Sequence, residues 1–152
     1  MNVQPRTVKQ AYDAMKKWDF SVVENYLERK KGYAVEKIAG MKEEYMRFLS
    51  LVIGEQTPAP ISYEVDPFWH VHVLHTMNYI PFSQEVAGGF LHHNPVATEE
   101  ERLALQDEYD GFIALYKKHY GEPDPAFWGG SDMVCICCCP GSISPLPQGM
   151  AA

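Results

Sequence analysis

Apolar residues recur at helical spacing along most of the chain. The first such segment spans residues 8–18, and its apolar positions share one helical face: Val8, Ala11, Tyr12, Met15 and Trp18. Residues 22–31, 35–53 and 98–120 repeat the pattern, and no stretch alternates clearly as a strand would. This periodicity predicts an all-α protein, with residues 60–65 at most briefly extended.

The ends of these segments carry start and stop signals. Ser21 with Glu24, and Thr98 with Glu101, have the three-residue spacing of a capping box. Glycines that can terminate a helix follow three of the segments, at Gly32, Gly54 and Gly121. The sequence therefore predicts four amphipathic helices with defined boundaries.

A further helix is predicted over the histidine-rich run VDPFWHVHVLHTMNYI, residues 65–80. Asp66 can cap free backbone N–H groups, and Pro67 suits the first helical turn, where its missing N–H costs nothing. Ile80 precedes Pro81, and a residue before proline disfavours the helical conformation. We therefore expect one continuous helix that ends near Ile80.

The chain of 152 residues is long enough to bury one core. Residues 1–130 contain all the predicted helices, whereas residues 131–152 are rich in cysteine and proline. The prediction is a compact single-domain helical bundle (1–130) with an irregular, flexible, cysteine-containing C-terminal tail (131–152).

Charge and hydropathy narrow the classes of protein. The net charge of −7 argues against nucleic acid as a partner, although the N-terminal basic residues leave a protein or peptide partner open. No apolar run reaches the roughly 18 to 20 residues of a membrane helix, and the N-terminus lacks the apolar core of a secretory signal. We expect a soluble cytoplasmic protein without an integral membrane segment.

Helical geometry divides the histidines into two half-sites. At about 100° per residue, Asp66 and His70 share one face of the predicted helix, whereas His72 and His75 share another. Each half-site needs further ligands, and His92 and His93 are the obvious donors. Imidazole with carboxylate suits zinc, copper or iron as the metal ion. The alternative is that these histidines only form hydrogen bonds within the core.

Four cysteines form a second patch of soft ligands, at Cys135, Cys137, Cys138 and Cys139. Thiolates at this spacing can bind copper(I) or zinc. Because cytosolic thiols are normally kept reduced, the four cysteines do not indicate a framework of structural disulfides. The patch could complete the histidine site, hold a separate metal, be modified, or carry incidental thiols. The sequence leaves these alternatives open.

The histidine run and the segment after it resemble a known family pattern. The matching positions are Asp66, Trp69, His70, His72, Leu74, Thr76 and Tyr79, followed by residues 89–95, GFLHHNP. They are similar to the central pattern of the glycine-rich domain-containing protein family. The resemblance implies a helical domain and marks functional positions without roles: Asp66, Trp69, His70, His72, Tyr79 and His93.

Together these features predict a small protein that binds a transition metal through its histidine helix, with His92 or His93 completing the site. If it is an enzyme, the histidine-rich site favours metal-dependent redox chemistry or hydrolysis. The alternative is a non-enzymatic interaction module, in which the histidine helix is structural and the cysteine-rich tail is a metal-binding, redox-active or modified peptide.

Overall fold

A computed structural model describes residues 6–57, 59–94, 98–129 and 142–145 of the chain. Over these residues it has six helices and two short strands, in the order α1 (Val8–Lys16), α2 (Ser21–Lys31), α3 (Val35–Gly54), α4 (Asp66–Leu74), α5 (Thr76–Ala87), β1 (Phe90–His92), α6 (Glu99–Tyr120) and β2 (Ser142–Ser144). The predicted compact helical fold is confirmed. Within these ranges no helix is both long and apolar enough to cross a membrane.

Helix α3 lies at the centre of the fold. It packs against α1, α2, α4 and α6, so its buried positions extend around most of its circumference. Its neighbours contribute many aromatic side chains, and Phe48 of α3 contacts the rings of Trp69, Phe112 and Trp128. Most of the largest fully buried side chains are aromatic, and each removes a large apolar area from water.

The helix boundaries agree with the sequence signals at most ends. Thr98 and Glu101 form the predicted capping box of α6, and Gly32 ends α2 in the left-handed conformation at φ 75°. The predicted box at Ser21 and Glu24 is wrong. Helix α2 begins at Ser21 itself, and the Asp19 carboxylate accepts the Ser21 N–H at 2.9 Å.

The histidine run forms two helices, not the predicted single one. His75 breaks the run at φ −87° and ψ 66°. Its N–H donates to Val71 and His72 and closes α4, whereas its carbonyl accepts from Asn78 and Tyr79 and opens α5.

Pro81 does not end the second helix, which continues to Ala87. The proline removes one helical hydrogen bond, but Tyr79, Phe82 and Val86 bury the opposite face. Because packing of a buried face contributes more to helix stability than one hydrogen bond, the helix persists.

Strands β1 and β2 form an antiparallel pair that the sequence did not predict. Leu91 lies opposite Ile143, and His92 lies opposite Ser142. Gly88 ends α5 at φ 72°, and the following Gly89 lies so close to β2 that a Cβ there would be 2.5 Å from the Ser144 carbonyl oxygen. Of the predicted tail, the structure describes residues 142–145 alone, and these bring β2 beside the strand that precedes His93.

Gly54 lies where α3 crosses the start of α1. A Cβ at this position would be 2.6 Å from the Val8 Cα and closer still to the Val8 nitrogen. Because backbone atoms cannot move aside as a flexible side chain can, we expect Gly54→Ala to lower the free energy of unfolding by about 2 kcal/mol. Urea unfolding measures this change.

Gly111→Ala is the matched control for that substitution. Gly111 also lies in a helix, α6, but a Cβ there would meet nothing within 4 Å. The same exchange should therefore stabilise the protein by up to about 1 kcal/mol, because alanine is the better helix former. Equal effects of the two substitutions would contradict the close approach at Gly54.

Candidate metal centre

Three side chains from two parts of the chain converge near the start of α4. Asp66 and His70 are one turn apart on α4, and His70 Nδ1 lies 2.7 Å from Asp66 Oδ2. His93, which directly follows β1, brings its Nε2 to 3.1 Å from Asp66 Oδ1 and 3.2 Å from His70 Nδ1. One carboxylate and two imidazole nitrogens therefore face one another.

Burial differs sharply within this cluster. The Asp66 and His93 side chains are 9% and 6% exposed, whereas that of His70 is 50% exposed. The carboxylate is thus held largely away from water, with two imidazoles beside it. The exposed side of the cluster is the His70 side.

Trp69 and Tyr79 fix the position of His93. The Trp69 indole stacks on the His93 ring, with centroids 4.1 Å apart and planes 7° from parallel. The Trp69 Nε1–H donates to the Tyr79 hydroxyl at 3.0 Å, and that hydroxyl donates to the Leu91 carbonyl at 2.5 Å. Burial raises the pKa of Tyr79 to about 12, so this hydroxyl keeps its proton. Helices α4 and α5 are thereby connected to strand β1, which His93 directly follows.

The separations suit a metal ion as well as hydrogen bonds. Zinc at about 2.0 to 2.1 Å from each ligand of a tetrahedral site places ligand atoms about 3.3 Å apart, close to the 2.7–3.2 Å seen here. Across the described ranges, this is the group of His, Cys, Asp and Glu residues whose ligand atoms lie close enough to hold an ion. The cluster is compatible with metal binding.

His72 lies elsewhere, in the core. Its ring is fully buried, with Nδ1 2.8 Å from the Tyr45 hydroxyl and Nε2 2.8 Å from Asn78 Oδ1. Trp18 Nε1 donates to the same amide oxygen, and Asn78 Nδ2 donates to the Asp19 carbonyl, so the orientation of the amide is determined. His72 Nε2 must therefore carry the proton, and Nδ1 accepts from Tyr45.

This environment also keeps His72 neutral. Burial is the main cause that lowers its pKa, to about 4, and it outweighs the Asn78 hydrogen bond, which favours the charged form. Both ring nitrogens have hydrogen-bond partners. His72 therefore packs within the core and is not part of the cluster.

His75 and His92 also lie apart from the cluster. His75 Nδ1 donates to the Val71 carbonyl at 2.8 Å, and its ring packs edge-on against Tyr26. His92 Nε2 lies 2.5 Å from the Ser144 hydroxyl, on the strand pair. Of the two donors predicted to complete the site, the structure places His93 there. Cys135, Cys137, Cys138 and Cys139 lie outside the described residues.

A pocket of about 400 Å³ borders the exposed side of the cluster. Its lining includes two of the three cluster residues, together with residues of α2 and of two loops: Leu27, Lys31, Tyr33, Tyr63, Asp66, Pro67, His70 and Val71. No local sequence motif marks Lys31, Tyr33 or Tyr63 as part of a site. Lys31 and Tyr33 approach the cluster because α2 packs against α4, and Tyr63 lies three positions before the start of α4.

Fold and site together define a class: a helical protein with a buried carboxylate and two histidines in an arrangement compatible with metal binding. Comparison of the chain with protein-family models, curated proteins and solved structures gives no match. The resemblance to the glycine-rich domain-containing protein family therefore stays a prediction.

Proposed function

We propose that Asp66, His70 and His93 bind a transition-metal ion that serves the chemistry of a small molecule held in the adjacent pocket. The observation that carries this proposal is the convergence of three side chains, each of which has a ligand atom within 2.7–3.2 Å of a ligand atom of the other two. Two of the three ligands line the pocket. An ion there would have protein on one side and a ligand space on the other.

The donor set favours zinc or iron(II). Two histidines and one carboxylate on one face of an ion are typical of non-haem iron(II) centres, and three protein ligands are typical of catalytic zinc. Copper(II) prefers a planar arrangement, which three converging ligands do not provide. A bound ion would supply Lewis acidity and an activated water, and iron(II) would add redox chemistry.

The protein residues prepare the ligands for this role. Ligation requires His70 Nδ1 and His93 Nε2 to be free of protons, so each proton must sit on the other ring nitrogen. Trp69 stacks on His93 and limits rotation of its ring. The low exposure of Asp66 strengthens the attraction of its carboxylate for a cation.

Cobalt(II) titration of protein purified without a histidine tag tests the proposal. We expect one equivalent to give the visible absorption of a low-coordinate site, and elemental analysis to find near-stoichiometric zinc or iron. His70→Ala should weaken binding at least about 100-fold, because it removes a ligand from a half-exposed position where the fold tolerates change.

His75→Ala is the matched control, since His75 lies just beyond the same helix and its ring contacts Val71 and Tyr26. It should bind cobalt like the unchanged protein. The metal proposal is wrong if the unchanged protein does not bind cobalt, or if His70→Ala and His75→Ala bind it equally. The cluster would then be a hydrogen-bonded group that joins α4 to the segment after β1.

A further inference from the structure

The pocket beside the candidate metal centre lies between the end of α2 and the start of α4. Gly32 turns the chain at the end of α2, and the Tyr33 N–H then donates to the Leu27 carbonyl at 3.2 Å. This turn brings Tyr33 back alongside Leu27 and Lys31, opposite Pro67 and His70 at the start of α4. The walls are therefore parts of two packed helices.

Most of the lining is apolar. Leu27 and Val71 are buried within the fold and form the inner wall, while Pro67 and the rings of Tyr33 and Tyr63 form the sides. A volume of about 400 Å³ is at the small end of ligand pockets. Such a space suits a small molecule with an apolar body.

The charges at the rim favour an anion. Lys31 is exposed at the last position of α2, and within the part of the chain that the structure describes no ion pair includes its amine. Glu64, the nearby acid before α4, is paired with Lys37 at 2.5 Å. The acid among the lining residues is Asp66, whose charge a bound divalent ion would more than neutralise.

We infer that the pocket binds a small organic monocarboxylate, with its apolar body against Leu27, Val71 and the tyrosines and its carboxylate paired with Lys31. This inference rests on the proposed function, because a bound ion would neutralise the Asp66 carboxylate, which otherwise repels an anion. A carboxylate with an apolar body satisfies both the charge and the walls, whereas an amine has the wrong charge and a sugar has neither the charge nor the apolar body.

The test compares benzoate with benzyl alcohol, which has a similar shape and no charge. Binding of each to the zinc-loaded full-length protein is measured by calorimetry, and backbone amide shifts locate the ligand. We expect benzoate to bind about tenfold more tightly than the alcohol, as one ionic hydrogen bond predicts, and to shift the amides of Leu27, Lys31 and Val71. Equal binding of the two, or shifts elsewhere, would overturn the inference.

Lys31→Met and Lys30→Met form a matched pair of variants. Both lysines are exposed on the last turn of α2, but Lys30 lines a different groove, beside Tyr26 and His75. We expect Lys31→Met to remove the preference for benzoate and Lys30→Met to retain it. A preference that survives Lys31→Met would overturn the inference.

Zinc content, measured in the same samples, separates the two proposals. Zinc retained without carboxylate preference overturns the monocarboxylate inference alone. Failure to take up zinc overturns the metal proposal and the inference that rests on it.

Discussion

Zinc is expected to raise the free energy of unfolding of this protein by about 4 kcal/mol when free zinc exceeds its dissociation constant about a thousandfold. An ion held by Asp66, His70 and His93 binds the folded chain, in which one ligand atom from each of the three residues already lies within 4.8 Å of the other two. The unfolded chain must bring together residues 27 positions apart. Urea unfolding with and without zinc, followed by tryptophan fluorescence, measures the difference.

His93→Ala and its sequence neighbour His92→Ala test the origin of this stabilisation. His93 contributes a ligand atom to the cluster, whereas His92 contacts Ser144 on the strand pair. The zinc effect should therefore disappear in His93→Ala and persist in His92→Ala. Zinc that binds cysteines of the unfolded chain would reduce the effect in all proteins alike, so the comparison between variants remains valid. Loss of the effect in both variants, or in neither, would contradict the assignment of the ligands.

Acid is expected to lower the free energy of unfolding by about 3 kcal/mol through His72 alone. Burial lowers the pKa of His72 from 6.5 to about 4, and each unit of pKa corresponds to about 1.4 kcal/mol. Below pH 6.5 His72 is protonated in the unfolded chain, whereas in the folded chain it stays neutral until the pH reaches about 4. Stability therefore falls as the pH falls through this range and then levels off.

The non-titrating variant His72→Gln isolates this contribution. Its amide can still accept from Tyr45 or donate to Asn78, but it takes up no proton. Unfolding free energies of the two zinc-free proteins are compared at several pH values between 4 and 7. Their difference should change by about 3 kcal/mol across the range. A constant difference would show that the pKa of His72 is the same in the folded and the unfolded state.

Much of the helical fold could be predicted because its signals are local. The apolar stripes, the Thr98–Glu101 box and the glycine stops act within a few residues of one another. The break at His75 and the continuation of α5 through Pro81 could not be predicted this way. Both depend on the side chains that α4 and α5 bury against the rest of the protein, and such packing overrides the local preference of a proline.

The sequence could predict the part of the candidate site that depends on spacing within one helix. It could not predict the part that depends on how distant segments of the chain fold together. Asp66 and His70 face each other because four residues make about one turn. The choice of His93 over His92 depends on where strand β1 ends: His92 is paired with β2 opposite Ser142, whereas His93 directly follows the strand and reaches Asp66. His72 has the same residue type and lies in the same helix as His70, yet it points into the core. Histidine content alone therefore overstates the number of histidines in the cluster.

The pairing of β1 with β2 places residues 142–144 beside the strand that leads to the candidate metal centre. Ser142 and Ser144 flank the backbone that leads to His93, although they lie some 50 positions later in the sequence. A chain that ends at Asp132 would lose the backbone partners of β1 along with the four cysteines. Truncation at Asp132 and replacement of the four cysteines by serine are thus different experiments. Only the second leaves intact the support on which His93 rests.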